Sequence, residues 1–128
     1  MVRTNTAYNE YNTNNISIES EDKLIELLYE GILRFNYQTK KAIKDNNLEK
    51  KSYWINRSVD IFIELINSLN YDGGEVAEYL NGLYSYQIQL LSIANIENDT
   101  KVLETVNNVV KGLLEAWREV NEHKSKVA

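Results

Sequence analysis

From Glu21 onward the chain repeats one pattern four times: apolar residues three and four positions apart, in stretches of about twenty residues, parted by breaks rich in Asn, Asp and Gly. That period belongs to an α-helix with one buried face and not to a β-strand. The clearest stretch, 100–122, carries Leu103, Val106, Val110, Leu113, Trp117 and Val120 at 3-4-3-4-3 spacing, the pattern of a helix-bundle seam. The stretch 21–45 offers Leu24, Leu28, Ile32, Phe35, Ala42 and Ile43. Ile55, Val59, Phe62, Ile66 and Leu69 mark 48–69, and Val76, Leu80, Leu83, Leu90 and Ala94 mark 75–94. Asn46-Asn47, Asn70 to Gly74 and Asn95 to Asp99 separate them, with Ser20 and Asn98 or Asp99 as helix caps. Proline is absent from all 128 residues, which suits long helices joined by short turns. Short connections between helices of similar length predict an all-α, antiparallel up-down four-helix bundle over 20–122. Residues 1–19 show no helical period and are expected to form an extended or partly helical N-terminal arm. The polar end, 123–128, is expected to fray.

Composition removes most kinds of chemistry. The net charge of −5 opposes nucleic-acid binding, which needs clustered cations on phosphate. The one dense basic stretch, Lys40 to Lys51, is interleaved with acids and reads as a solvated helix end. The chain has no Cys and a single His, His123. Thiol catalysis, a His-based triad, a phosphotransfer His within a helix and a di-iron bundle site all lack their residues. Acid pairs such as Glu26 and Glu30 read as solvated faces. The expectation is a protein with no catalytic site, metal or cofactor. No apolar run approaches the ~20 residues that span a bilayer, and the first residues lack the apolar core of a secretory signal, so a cytoplasmic location is expected.

Two helices carry more apolar surface than a bundle needs. In 75–94, Tyr84, Ile88 and Leu91 flank the chosen stripe on one side and Tyr79, Tyr86 and Ile93 on the other, widening the apolar arc to roughly 220°. In 48–69, Trp54, Ile61 and Leu65 form a second stripe, and the arc reaches roughly 200°. Either neighbouring helices and the arm cover these residues, or they form a surface for another molecule.

A resemblance supports the second reading. Leu27-Leu28-Tyr29-Glu30-Gly31, Gly73-Gly74-Glu75, Leu83-Tyr84-Ser85-Tyr86, Ala94-Asn95 followed by Asn98-Asp99, and Ala116-Trp117 occur in that order. This series resembles the FliS family of flagellin-specific export chaperones, from Ala7-Tyr8 to about Val120. The chain departs from the family's usual wording at Ser20-Glu21, where Ser-Pro is common, at Glu30, where Asp is usual, and at Asn70-Tyr71-Asp72.

The resemblance implies a cytoplasmic protein that binds the C-terminal region of flagellin, keeps it from polymerising and presents it to the flagellar export gate. By that likeness, Trp54, Ile61, Leu65, Tyr79, Tyr84, Tyr86, Ile88 and Leu91 would line the flagellin groove. Tyr8, Tyr11 and Ile16 would belong to a lid that yields to cargo. A co-chaperone or assembly regulator on the acidic face stays open. Two other readings compete: a self-associating bundle, and an adaptor for a different export substrate.

Overall fold

The structure is a computed structural model that describes residues 21–127. The expectations for the arm, with Tyr8, Tyr11 and Ile16, fall outside the described residues. Helix α1 spans Glu21–Lys44, α2 Leu48–Asn67, α3 Glu75–Glu97 and α4 Thr100–Val127, with a single 3₁₀ turn at Tyr71–Gly73 between α2 and α3. Two of the breaks hold a side-chain cap at the start of the next helix, while α3 starts after Gly74 without one and runs on to Glu97, three residues past the end read from the sequence. The Asn47 side chain accepts from the Lys50 backbone N–H at 3.0 Å, and Asp99 accepts from Lys101 at 2.9 Å, each satisfying a donor the helix start leaves free. Asn46, Gly74 and Asn98 take the left-handed backbone region at φ 55°, 80° and 54°, which stops the chain and turns it back.

Each helix packs on two neighbours: α1 and α3 both lie against α2 and α4. Pairs across α1 and α4 run in opposite chain order, with Lys124–Asp22 at 2.6 Å, Arg118–Glu30 at 2.6 Å and Lys40–Glu104 at 3.0 Å. The bundle is therefore antiparallel, as expected. Its core gathers Leu28, Ile32, Ile55, Phe62, Leu91, Leu103, Val106 and Val110, all nearly inaccessible to solvent.

Three faces differ from the sequence reading. On α3 the buried stripe is Ala77, Tyr84, Gln87, Leu91 and Ala94, with Leu80 beside it, while Val76 is 68% exposed. On α2 it is Lys51, Ile55, Ser58, Ile61, Phe62, Glu64 and Leu65, while Val59, Ile66 and Leu69 are half-buried at its edge. On α4 the seam shifts after Val110 to Leu114, and Val120 is 45% exposed. The cause is common to all three. Where the apolar arc is wide its centre is ambiguous, and the inward positions include polar residues that a hydrophobic period discounts.

Some of those polar residues are satisfied across helices, while both Glu64 carboxylate oxygens and Gln87 Oε1 have no hydrogen-bond partner among the described residues. Ser58 donates to Asn36 Oδ1 at 2.6 Å, and Asn36 Nδ2 donates to Asn107 Oδ1 at 2.9 Å, tying α1, α2 and α4 at mid-height. Lys51, expected in a solvated run, is buried. Its Nζ donates at 2.7 Å to the Asn95 carbonyl and at 2.7 Å to Asn98 Oδ1, placing a cation on the negative end of α3. Glu26, expected in water, is also buried and accepts from Lys23 at 3.1 Å and Asn121 at 2.8 Å. Burial alone would raise its carboxyl; the hydrogen bonds from Asn121 and Lys23, with the Lys23 and Arg118 charges, outweigh burial and hold it below its ordinary value. The Asn121 and Lys124 contacts to α1 accompany a fourth helix that continues to Val127, past the fraying point expected at His123.

Candidate protein-binding surface

Helix α3 carries two heptad stripes. The inner one, Ala77, Leu80, Tyr84, Gln87, Leu91 and Ala94, faces the core. One residue earlier at every step, hence about 100° round the helix, runs a second: Val76, Tyr79, Leu83, Tyr86, Leu90 and Ile93. Val76 and Tyr79 are each 68% exposed, Tyr86 55% and Ile93 42%, while Leu83 and Leu90 are half-buried against the core rim. Ile96, 78% exposed, extends the patch toward the end of the helix. An ordinary amphipathic helix keeps one such stripe and covers the rest with polar residues. Here Val76, Tyr79, Tyr86 and Ile93 stand exposed with no helix among the described residues covering them, more contiguous apolar surface than such a helix needs.

The eight expected groove residues divide. Tyr79 and Tyr86 lie on the exposed stripe, and Trp54 and Ile88 are half-buried elsewhere, Trp54 stacked on Phe35 with ring centroids 5.5 Å apart. Ile61, Leu65, Tyr84 and Leu91 are core: each is under a tenth exposed and joins the main cluster. They sit inside because the true inward face of α2 and α3 is rotated from the one periodicity selects. Val76 and Ile96 belong to the exposed patch, with Leu83 and Leu90 half-buried along it, although the sequence reading did not assign them to the groove. Their 3-4 spacing with Tyr79, Tyr86 and Ile93 is the signal that could have found them.

Three of the residues that carry the family resemblance, Tyr29, Tyr84 and Trp117, meet inside the bundle. The hydroxyls of Tyr29 and Tyr84 lie 2.6 Å apart, buried. The Tyr29 ring stands edge-on to Trp117 at 6.5 Å, and Trp117 Nε1 donates to the Asp22 carbonyl at 2.9 Å. Burial pushes both phenols above their ordinary pKa, and for Tyr84 the facing Tyr29 adds to the rise. An acid whose folded-state pKa is raised stays neutral in the fold while the unfolded chain ionises near pH ~10. The pair therefore stabilises the fold fully below that pH, and stability falls as pH rises beyond it. Tyr84→Phe leaves the Tyr29 hydroxyl unpaired and should cost about 1–3 kcal/mol. The double Tyr29→Phe, Tyr84→Phe variant should cost less than the sum of the singles and flatten the alkaline limb, as measured by urea denaturation from pH 8 to 11.

Beside this cluster opens a cavity of about 490 Å³ between the first turn of α1, the end of α2 and the start of α3, with Trp117 of α4 on one wall. Its lining is mainly Leu24, Ile25, Leu28, Leu65, Leu69 and Leu80, with Glu64 among them. Among the described residues no group of side chains could hold a metal ion, and no helix is long and apolar enough to cross a membrane.

Comparison with known proteins gives a consistent result. The family model described as flagellar protein FliS matches residues 4–124. The flagellar secretion chaperone FliS of Campylobacter jejuni is 54% identical over 125 residues, covering 97% of this chain and 98% of that one. That of Bacillus subtilis is 29% identical, covering 93% and 89% respectively. A solved structure described as a flagellar chaperone from bacteria superposes with a TM-score of 0.77 at 20% identity, over 92% of this chain and 97% of that chain, a likeness of fold.

Proposed function

Because the chain belongs to the FliS family of flagellar secretion chaperones, we propose that its cargo is the C-terminal region of flagellin and that the outer stripe of α3 is the principal surface receiving it. It is a chaperone and not an enzyme. The observation that carries the proposal is the exposed set Val76, Tyr79, Tyr86 and Ile93, with half-buried Leu83 and Leu90 between them, long enough for an amphipathic segment to lay its own apolar face along it. Covering that segment in the cytoplasm hides the surfaces by which flagellin polymerises, and the loaded pair is what the export gate receives. The N-terminal arm, with Tyr8, Tyr11 and Ile16, is proposed as a competitor for cargo surface, which would lower apparent affinity by the fraction of time it is closed.

Mass measurement of the purified protein, with and without a flagellin C-terminal peptide, tests the reading. A one-to-one complex formed by peptide is expected. A stable dimer that ignores peptide would instead assign the α3 stripe to self-association. Calorimetry of the same mixture should show a large negative heat-capacity change, because a disordered segment buries apolar surface as it orders.

A further inference from the structure

One buried carboxylate, that of Glu64, stands without a partner among the described residues. It is 4% exposed, and neither carboxylate oxygen has a hydrogen-bond partner among the described residues. An unpaired buried charge is expensive, and the two other fully buried charged side chains among the described residues are hydrogen-bonded: Glu26 with Lys23 and Asn121, Lys51 with Asn95 and Asn98. Glu64 also lines the 490 Å³ cavity, whose remaining walls are largely leucine and whose rim holds Glu21 and Asp22. Asp22 is neutralised by Lys124 at 2.6 Å; Glu21 has no such partner among the described residues. The cavity therefore combines aliphatic walls, one desolvated acceptor and an acidic rim. That combination fits a long side chain with an apolar stem and a cationic head.

We propose that this cavity is a second, charge-selective anchor of the cargo site, in which Glu64 receives the head of a lysine or arginine from the bound flagellin segment while the leucines hold its stem. The inference rests on the flagellin reading above and adds a chemical requirement to it: the segment must bring a basic side chain to this end of the bundle. Free chaperone then bears the cost of an unmet carboxylate, and cargo relieves it.

The test uses full-length protein and the flagellin of the same bacterium, with binding followed by calorimetry and stability by thermal unfolding. Glu64→Leu should raise the melting temperature of the free chaperone by several degrees, since a buried charge is replaced by a residue the walls accept. It should also weaken flagellin binding about tenfold or more. Glu64→Gln keeps the shape and an acceptor oxygen but not the charge, and should weaken binding to a similar degree. If Glu64→Gln binds as wild type does, the donor is neutral and the basic anchor is overturned. Equal binding by Glu64→Leu and wild type overturns the cavity as a cargo site. The same two variants in a chain lacking residues 2–15 identify the arm as the occupant, against this proposal, if the binding defect disappears there. Wild-type protein that does not bind flagellin at all overturns the earlier reading and this anchor with it, whereas wild-type binding unaffected by the Glu64 variants overturns the anchor alone.

Discussion

Replacing Tyr86 and Ile93 together by Asp is expected to leave the helical content and melting temperature close to wild type while reducing flagellin affinity about a hundredfold or more. Both side chains are mostly or substantially in water, so the charges meet no desolvation penalty in the free protein. In a complex they would sit where an apolar face must lie, and two buried charges without partners would oppose it. Circular dichroism and calorimetry on one preparation distinguish the outcomes. Unchanged affinity with an intact fold would remove α3's outer stripe from the cargo surface. Loss of the fold would show that the stripe is covered in solution.

Leu65→Asp should do the opposite and unfold the bundle, as should Val110→Asp. Leu65 is 1% exposed and Val110 fully buried, and each substitution places an unpaired charge in the core at a cost of about 4 kcal/mol or more. That is a large part of the roughly 5–15 kcal/mol that holds a domain folded. Both variants should lose cooperative thermal unfolding and the helical signal at 222 nm. The contrast with Tyr86 and Ile93 is the informative part. From periodicity alone Leu65 stands on a stripe beside the core, and its substitution would be expected to spare the fold; the packing of α2 reverses that expectation.

That reversal marks what could be read from sequence and what could not. Helix number, order and starts were legible because caps act locally: Asn47 and Asp99 each bind a backbone donor within three residues. The family was legible because a series of short motifs stands in order along the chain, and three of their residues, Tyr29, Tyr84 and Trp117, converge inside the bundle. The inner face of α3 was not legible. Gln87 points inward, donating to the Leu83 carbonyl at 3.2 Å, and a hydrophobic period counts such a residue as a vote for water. The buried charges escaped for a related reason. Glu26 is satisfied from 95 positions away by Asn121, and Lys51 from 44 positions away by Asn95, distances over which no spacing rule reaches.

The two stripes of α3 have a consequence for how the helix is seated. A helix with an apolar heptad on each of two faces could turn about its own axis by one residue and still bury leucines, so hydrophobic burial does little to fix its rotation. Polar contacts decide the matter. The Tyr84 hydroxyl reaches Tyr29 only from the present orientation, and Lys51 clamps the end of the helix at Asn95 and Asn98. Because those few bonds hold the azimuth, the choice of which stripe faces the core and which faces outward rests on about three hydrogen bonds, one at mid-helix and two at the C-terminal end. Weakening them should blur the distinction between the chaperone's inside and its outside as well as lower its stability.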